Sequence, residues 1–314
     1  MILLKLVPDE TRIPFLSLRK LCFAISGTMA IASIVLLLVM GLNFGIDFKG
    51  GTLMEIKTVA AVADVSSIRK KVGAMGLSDV QIQEFGAPDE VLIRVGEQSG
   101  GEKAQQDVVS KVKTALGKTV EFRRVEVVGP TVSGELIRSG IISVIAAILA
   151  VLVYIWFRFE WQFAIGAVVA LVHDVTLTIG LFSVLQLEFN LSIIAAILTI
   201  VGYSLNDTVV VFDRVRENLR KYKRMPMIEL LDLSINHTLS RTVLTSFTTL
   251  LALFSLYIFG GEVIRGFTFA MIWGIGVGTY SSIFIASPIL YHLGVKREWS
   301  GAKVAKTNEK PATS

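Results

Sequence analysis

Long apolar runs alternate with short polar connections along most of this chain. A helix needs about 20 apolar residues to cross a bilayer. Six stretches qualify: about Leu21–Leu42, Ser139–Phe157, Trp161–Leu185, Phe189–Phe212, Val243–Phe259 and Phe267–Leu293. The pattern predicts a polytopic α-helical membrane protein with six transmembrane helices. The first run follows a polar head of residues 1–20 and is too long for the apolar core of a cleavable signal peptide.

One connection breaks the rhythm. Residues 43–135 read as a small folded domain between the first two spans. Thr52–Lys57 alternates as a strand does, and Val65–Met75 carries Val65, Ile68, Val72 and Met75 at helical spacing before Gly76. Val80–Phe85 and Val91–Val95 are two strands joined by a turn over Gly86–Glu90. Glu102–Leu116 is a second helix closed by Gly117, and Val120–Val128 is the last strand. The order β-α-β-β-α-β predicts a ferredoxin-like α+β sheet with both helices on one face. Gly129-Pro130 ends the domain and Thr131–Glu135 leads into the second span. The remaining membrane region, 136–295, contains a loop at 213–241: a continuation of the fourth span, then an interfacial helix after Pro226 carrying Met227, Leu230, Leu231 and Leu233. The tail, 296–314, is polar and reads as disordered.

Composition agrees with this class. Of 314 residues, 53% are apolar, and the mean hydropathy is +0.64, beyond the range of ordinary soluble domains. A single cysteine, Cys22, excludes a disulfide framework within the chain. The net charge of +5 is no nucleic-acid signature, because the cations cluster at the ends of apolar runs. Lys5, Arg12, Arg19 and Lys20 lie in the head. Arg214, Arg216, Arg220, Lys221, Lys223, Arg224 and Arg241 follow the fourth span, and Lys296, Arg297, Lys303, Lys306 and Lys310 lie in the tail. With six spans these regions share one side, which the positive-inside rule makes the cytoplasm. Residues 43–135 then face the other side.

Three polar features fall within or beside the spans: Asp207 with Ser204, Asn206 and Thr208, the pair His173-Asp174, and Arg241. A charged group at the centre of a spanning helix costs roughly 2.5–3.5 kcal/mol on insertion scales, so it marks a task or a partner. Asp207 lies about two turns from the loop that leads to Arg241, within reach of a long side chain. A guanidinium moving toward or away from Asp207 would switch it between charged and neutral forms, the minimum machinery for coupling proton passage to helix movement. Two other readings stand beside this one: a neutral, hydrogen-bonded Asp207, and an Arg241 that only anchors its helix at the interface. His173 and Asp174 project about 100° apart and are expected on different faces. Gly274 and Gly278 form a GxxxG pattern that favours close helix packing. Gly202-Tyr203-Ser204 with His292 is a weak match to an intramembrane serine protease. Neither a metal-ligand spacing nor a phosphate-binding glycine loop occurs, so no cofactor is expected.

The motifs Phe44-Gly-Ile-Asp-Phe-Lys-Gly-Gly51, Val128-Gly-Pro-Thr-Val-Ser133, Leu171-Val-His-Asp174, Gly202-Tyr-Ser-Leu-Asn-Asp-Thr-Val-Val-Val-Phe-Asp-Arg-Val-Arg-Glu217 and Ser240-Arg-Thr-Val-Leu-Thr-Ser246 span nearly the whole chain. Together they resemble the SecD/SecF family of bacterial protein-export membrane subunits, within the resistance-nodulation-division superfamily. The short domain at 43–135 is similar to the SecF side of that family. The resemblance implies a non-enzymatic subunit of the inner membrane that pairs with SecD. The pair would associate with the SecYEG channel and a YajC-type accessory subunit, and use the proton-motive force to help export preproteins. It implies that Asp207, between Asn206 and Thr208, serves proton passage with Arg241 as coupling partner, and that the domain at roughly 52–128 moves or contacts substrate. His173 and Asp174 join the candidate proton pathway. A small-molecule or lipid exporter of the same superfamily is the alternative.

Overall fold

A computed structural model of the chain describes Pro8 and residues 11–295. The tail at 296–314, expected to be disordered, and most of the head before residue 11 lie outside the described residues.

Among the described residues, six helices are long and apolar enough to cross a membrane. The first is α1 (Arg19–Met40), entered through a single 3-10 turn at Phe15–Leu18. Between it and the second lie β1 (Asn43–Phe44), α2 (Ile46–Lys49), β2 (Gly51–Thr58), α3 (Val65–Gly73), β3 (Val80–Phe85), β4 (Ala87–Val95), α4 (Gly101–Leu116) and β5 (Val120–Val128). There follow α5 (Pro130–Arg158), α6 (Trp161–Leu185), β6 (Glu188–Phe189), α7 (Leu191–Lys221), α8 (Met227–Phe259) and α9 (Glu262–Ser281). The last continues through one π-helical turn at Ser282–Ala286 into α10 (Ser287–His292).

Strands β2 to β5 form an antiparallel sheet in the order β3-β4-β2-β5. Strand side chains alternate between faces. One face therefore presents Met54, Ile56, Ile82, Val91, Ile93 and Val95 to Ile68 and Val72 of α3 and Val108 and Val112 of α4. The other face presents Leu53 and Leu92 to Ile46. Asp64 caps α3 by accepting from the Ser67 amide at 3.0 Å.

Several expected boundaries move. The β3–β4 connection is tighter than a turn over 86–90: Phe85 pairs with Ala87, and Gly86 alone reverses the chain at φ +73°. Residues 131–135 are helical rather than a lead-in, because Pro130 starts α5 at a position where its fixed φ fits and its missing N–H costs nothing. No separate interfacial helix follows Pro226. Residues 227–259 contain neither Gly nor Pro, and α8 runs through them without a break. Its first turns are not laid on a surface. Leu230 and Leu231 pack in a buried cluster with Phe15, Leu16, Phe163 and Phe212.

The six helices divide by burial. The apolar stretches of α6 and α9 are 56% buried, and those of α5 and α8 only 11%. α6, α7 and α9 thus form the centre, while α1, α5 and α8 present apolar faces outward. Two apolar clusters fill the bundle. One lies toward the α7–α8 connection, with Phe163, Phe212, Leu230 and Leu290. The other lies toward the sheet domain, with Phe48, Phe182, Phe189, Ile193 and Ile275.

Candidate functional site: a hydroxyl-held pair of carboxylates

Between these clusters lies a polar layer. On α7, Ser204 and Asp207 fall after Val201 of one cluster and before Val211 of the other. On the sixth span, Ser281 and Ser282 fall between Ile275 and Ile283. Small residues allow this meeting. A Cβ on Gly278 would stand 3.0 Å from the Ser204 Cβ, so α7 and α9 pack closer than most side chains permit. The GxxxG pattern thus seats these two helices.

Asp207 is buried. Its Oδ1 accepts from the Thr242 hydroxyl of α8 at 2.6 Å, and its Oδ2 accepts from the Ser282 hydroxyl at 2.6 Å. Asp174 is more deeply buried. Its Oδ2 accepts from Ser204 and from Ser281, each at 2.7 Å, and its Oδ1 meets His173 Nδ1 at 2.9 Å. Two carboxylates are thereby held by four hydroxyls from neighbouring spans, those of Ser204, Ser281, Ser282 and Thr242. Ser204 lies on the same helix as Asp207, one turn away. Ser281 and Ser282 are consecutive.

The surroundings extend the layer. The rings of His173 and Tyr280 lie 6.3 Å apart at 32°, and the Tyr280 hydroxyl pairs with Ser26 of α1 at 2.9 Å. Ser246 of α8 pairs with Thr279 at 2.7 Å. All but α5 of the spanning helices contribute a polar side chain to this region.

The expected site residues separate into those that meet and those that do not. Asp207, Asp174 and His173 are in the layer. His173 and Asp174 make contact although successive helix positions diverge by about 100°: Asp174 Oδ1 lies 2.9 Å from His173 Nδ1. Thr208 is buried beside the layer, and Asn206 is exposed. Arg241 is also exposed. Its neighbour Thr242 takes the direct contact with Asp207, and the guanidinium acts on that carboxylate only through space. Ser204 is occupied by Asp174, and His292 is exposed beside Phe23 and Tyr291. The protease pair is not assembled. No group of three His, Cys, Asp or Glu side chains that could hold a metal occurs among the described residues.

A second constellation joins the sheet domain to the bundle. β1 and β6 pair in parallel, Asn43 with Glu188 and Phe44 with Phe189. Asp47 Oδ2 accepts from the Leu191 amide at the start of α7 at 2.8 Å. Glu188 forms an ion pair with Arg94 of β4. Burial raises the Glu188 carboxyl above its ordinary 4.5, and the Arg94 guanidinium only partly opposes this. Gly51 is required here: its φ is +127°, and a Cβ would meet the Val95 carbonyl oxygen at 2.5 Å. The motif Phe44–Gly51 therefore lies at the joint between sheet domain and bundle.

Fold and site together define a multi-pass membrane protein with a buried carboxylate layer and one sheet domain docked on the bundle. Residues 108–296 match the family model described as protein export membrane protein SecD/SecF, C-terminal, and residues 35–62 match the SecD/SecF GG motif. The chain is 50% identical to the protein translocase subunit SecF of Rhodobacter capsulatus, over 94% of this chain and 92% of that one. It is 47% identical to the protein translocase subunit SecDF of Brucella abortus, over 93% of this chain and 39% of that one. The crystal structure of SecDF, a translocon-associated membrane protein from Thermus thermophilus, superposes with a TM-score of 0.81 at 34% identity, covering 92% of this chain and 40% of that chain. The chain belongs to the SecD/SecF family of protein-export membrane proteins.

Proposed function

We propose that this chain is a SecF-type accessory subunit of the Sec protein translocase that couples proton passage to late-stage preprotein export. It sits in the bacterial inner membrane with both termini in the cytoplasm, and pairs with a SecD-type subunit. That pair serves the SecYEG channel together with a YajC-type accessory subunit. The sheet domain is ferredoxin-like and periplasmic; the strand order β3-β4-β2-β5 and the cation-rich α7–α8 connection on the opposite side support both assignments. Relatives in which SecD and SecF form one chain support the pairing.

The observation that carries the reading is the setting of Asp207. It lies between two apolar clusters, with each oxygen bonded to a hydroxyl from a different helix. Hydroxyls can serve the charged carboxylate as donors and the protonated one as acceptors, so this setting accepts either state. Asp174 with His173 forms the second station of the pathway. Asn206 and Thr208 flank the first, and Arg241 biases it from the cytoplasmic side. A membrane potential adds roughly 2.3 kcal/mol per charge per 100 mV to any charge moved across such a layer.

The test is export of a precursor into inverted membrane vesicles, with and without an imposed proton gradient. Asp207→Asn is expected to retain assembly with the SecD-type partner and to abolish the gradient-dependent increment. A full increment in that variant would sink the carrier role.

A further inference from the structure

Asp174 and Asp207 sit on different helices and share no direct bond among the described contacts, yet their hydroxyl donors on the sixth span are adjacent in sequence. Ser281 and Ser282 are both fully buried. Consecutive helix positions diverge by about 100°, so one hydroxyl turns toward α6 and Asp174 while the next turns toward the α7–α8 side and Asp207. Each also reaches a carbonyl oxygen three residues back: Ser281 that of Gly278 at 3.1 Å, Ser282 that of Thr279 at 3.0 Å. Each serine therefore has a second acceptor in reserve. A carboxylate that takes up a proton weakens as an acceptor, and its serine can then bond to its own helix without leaving a buried hydroxyl unpaired.

The backbone at this point is built to yield. The π-helical turn begins at Ser282, and π turns are rare and concentrated at functional sites. Pro288, just downstream, has no N–H to return to the Phe284 carbonyl, and the Ser287 hydroxyl donates to the Ser282 carbonyl at 2.9 Å. Downstream of the two serines, the span thus lacks one backbone bond, at the Phe284 carbonyl, and carries a side-chain bond to the Ser282 carbonyl.

We propose that Ser281 and Ser282 are positioning residues that make the sixth span read both carboxylates at once, so that Asp174 and Asp207 change protonation as a coupled pair. A small turn of the span at the π segment would exchange both serine bonds together. This rests on the proton-coupled reading above and adds to it: the unit that responds is two carboxylates and one helix, not one carrier. The other titratable or charged groups at the pair are His173 on α6, bonded to Asp174, Arg241 on α8, acting on Asp207 through space, and Tyr280 on α9, beside the His173 ring. None of these bonds both carboxylates among the described contacts.

The full chain, purified with its SecD-type partner and reconstituted in liposomes, is titrated while the infrared carboxyl band that disappears in Asp207→Asn is followed. In the otherwise native protein, adding Asp174→Asn is expected to move the midpoint of that band by about one pH unit or more, the size that defines a coupled pair. In a Ser281→Ala/Ser282→Ala background the same replacement is expected to leave the midpoint in place, and Ser281→Thr/Ser282→Thr is expected to restore the shift. The double alanine variant is also expected to lose about tenfold of the gradient-dependent export increment, within the usual range of coupling between sites. Should the double variant fail to assemble, each single alanine variant is read the same way, since either break severs the link. A shift of equal size with and without the serines, or no shift in the native background, would overturn the proposal. The band measurement needs no export. Failure of Asp207→Asn to affect export would remove the proton-coupled reading, and failure of the coupling would remove only the role of the serines.

Discussion

Inside the bundle, Asp207 is held by two neutral hydroxyls. At the junction between sheet domain and bundle, Glu188 is held by a guanidinium in direct contact. A hydroxyl can follow a carboxylate through both protonation states, because it donates and accepts. A guanidinium only donates, so an arginine holds a carboxyl in one geometry. The first arrangement suits a group that must change charge, and the second suits a joint that must hold. Arg241 tests this division, since it is a guanidinium near Asp207 that leaves the direct contact to Thr242.

After Asp207 itself, the largest effect is therefore expected at Arg241. Arg241→Met should remove most of the gradient-dependent export increment, and Arg241→Lys should restore part of it, because a distant cation acts by charge rather than by bidentate geometry. Assembly with the SecD-type partner, read by co-purification, should be unchanged in both. An increment that survives Arg241→Met would mean that hydroxyls alone govern Asp207, and Arg241 would return to an interfacial anchor.

Next in size is the junction. The docked state holds the Glu188 carboxyl above its ordinary 4.5. The docked state therefore binds a proton more tightly than the undocked one. Docking is favoured when Glu188 is protonated, and that contribution is lost as pH rises from 4.5 through the raised value. Spin labels on β4 and α9 should report a tighter distance distribution as pH falls through this window. Glu188→Gln should flatten the pH dependence, and Arg94→Met should steepen the loss of docking at neutral pH, because a buried carboxylate would be left without its cation. Identical pH profiles for native protein and Glu188→Gln would show that another group controls the joint.

The two regions were unequally legible in the sequence. Spans show themselves through long apolar runs, and Asp207, Asp174 and Arg241 stand out because charges are rare there. Ser281, Ser282 and Thr242 do not, because hydroxyl side chains are common in spanning helices and bond to their own backbone as readily as across it. Their role depends on which helices pack together, and that depends on contacts such as Gly278 against Ser204. The pairing of β1 with β6 joins segments about 145 residues apart in sequence, each only two residues long; periodicity needs longer runs to speak. The uninterrupted α8 could have been read from its lack of Gly and Pro, but its charged first half resembled a surface helix.

The smallest effect probes whether the two regions are independent. α7 carries Asp207 near its middle and starts at the junction, where Asn190 makes no side-chain cap to the helix. Asp47 supplies the acceptor instead, from the other side of the junction, at 2.8 Å from the Leu191 nitrogen. An acidic group there also faces the positive end of the helix dipole. Asp47→Ala should cost ~1 kcal/mol, the usual loss on removing a helix cap, and Asp47→Asn less, since it keeps an acceptor and loses only the charge. Hydrogen exchange should quicken at Leu191 and the amides just after it. A helix end frays without transmitting the change far, because each following amide has its own carbonyl partner four residues back. Exchange near Ser204 and Asp207, and the gradient-dependent increment, should then remain at native levels. Faster exchange at Asp207 in Asp47→Ala would mean that α7 moves as one rigid lever between junction and carboxylate layer, and that the holding joint and the switching layer belong to a single device.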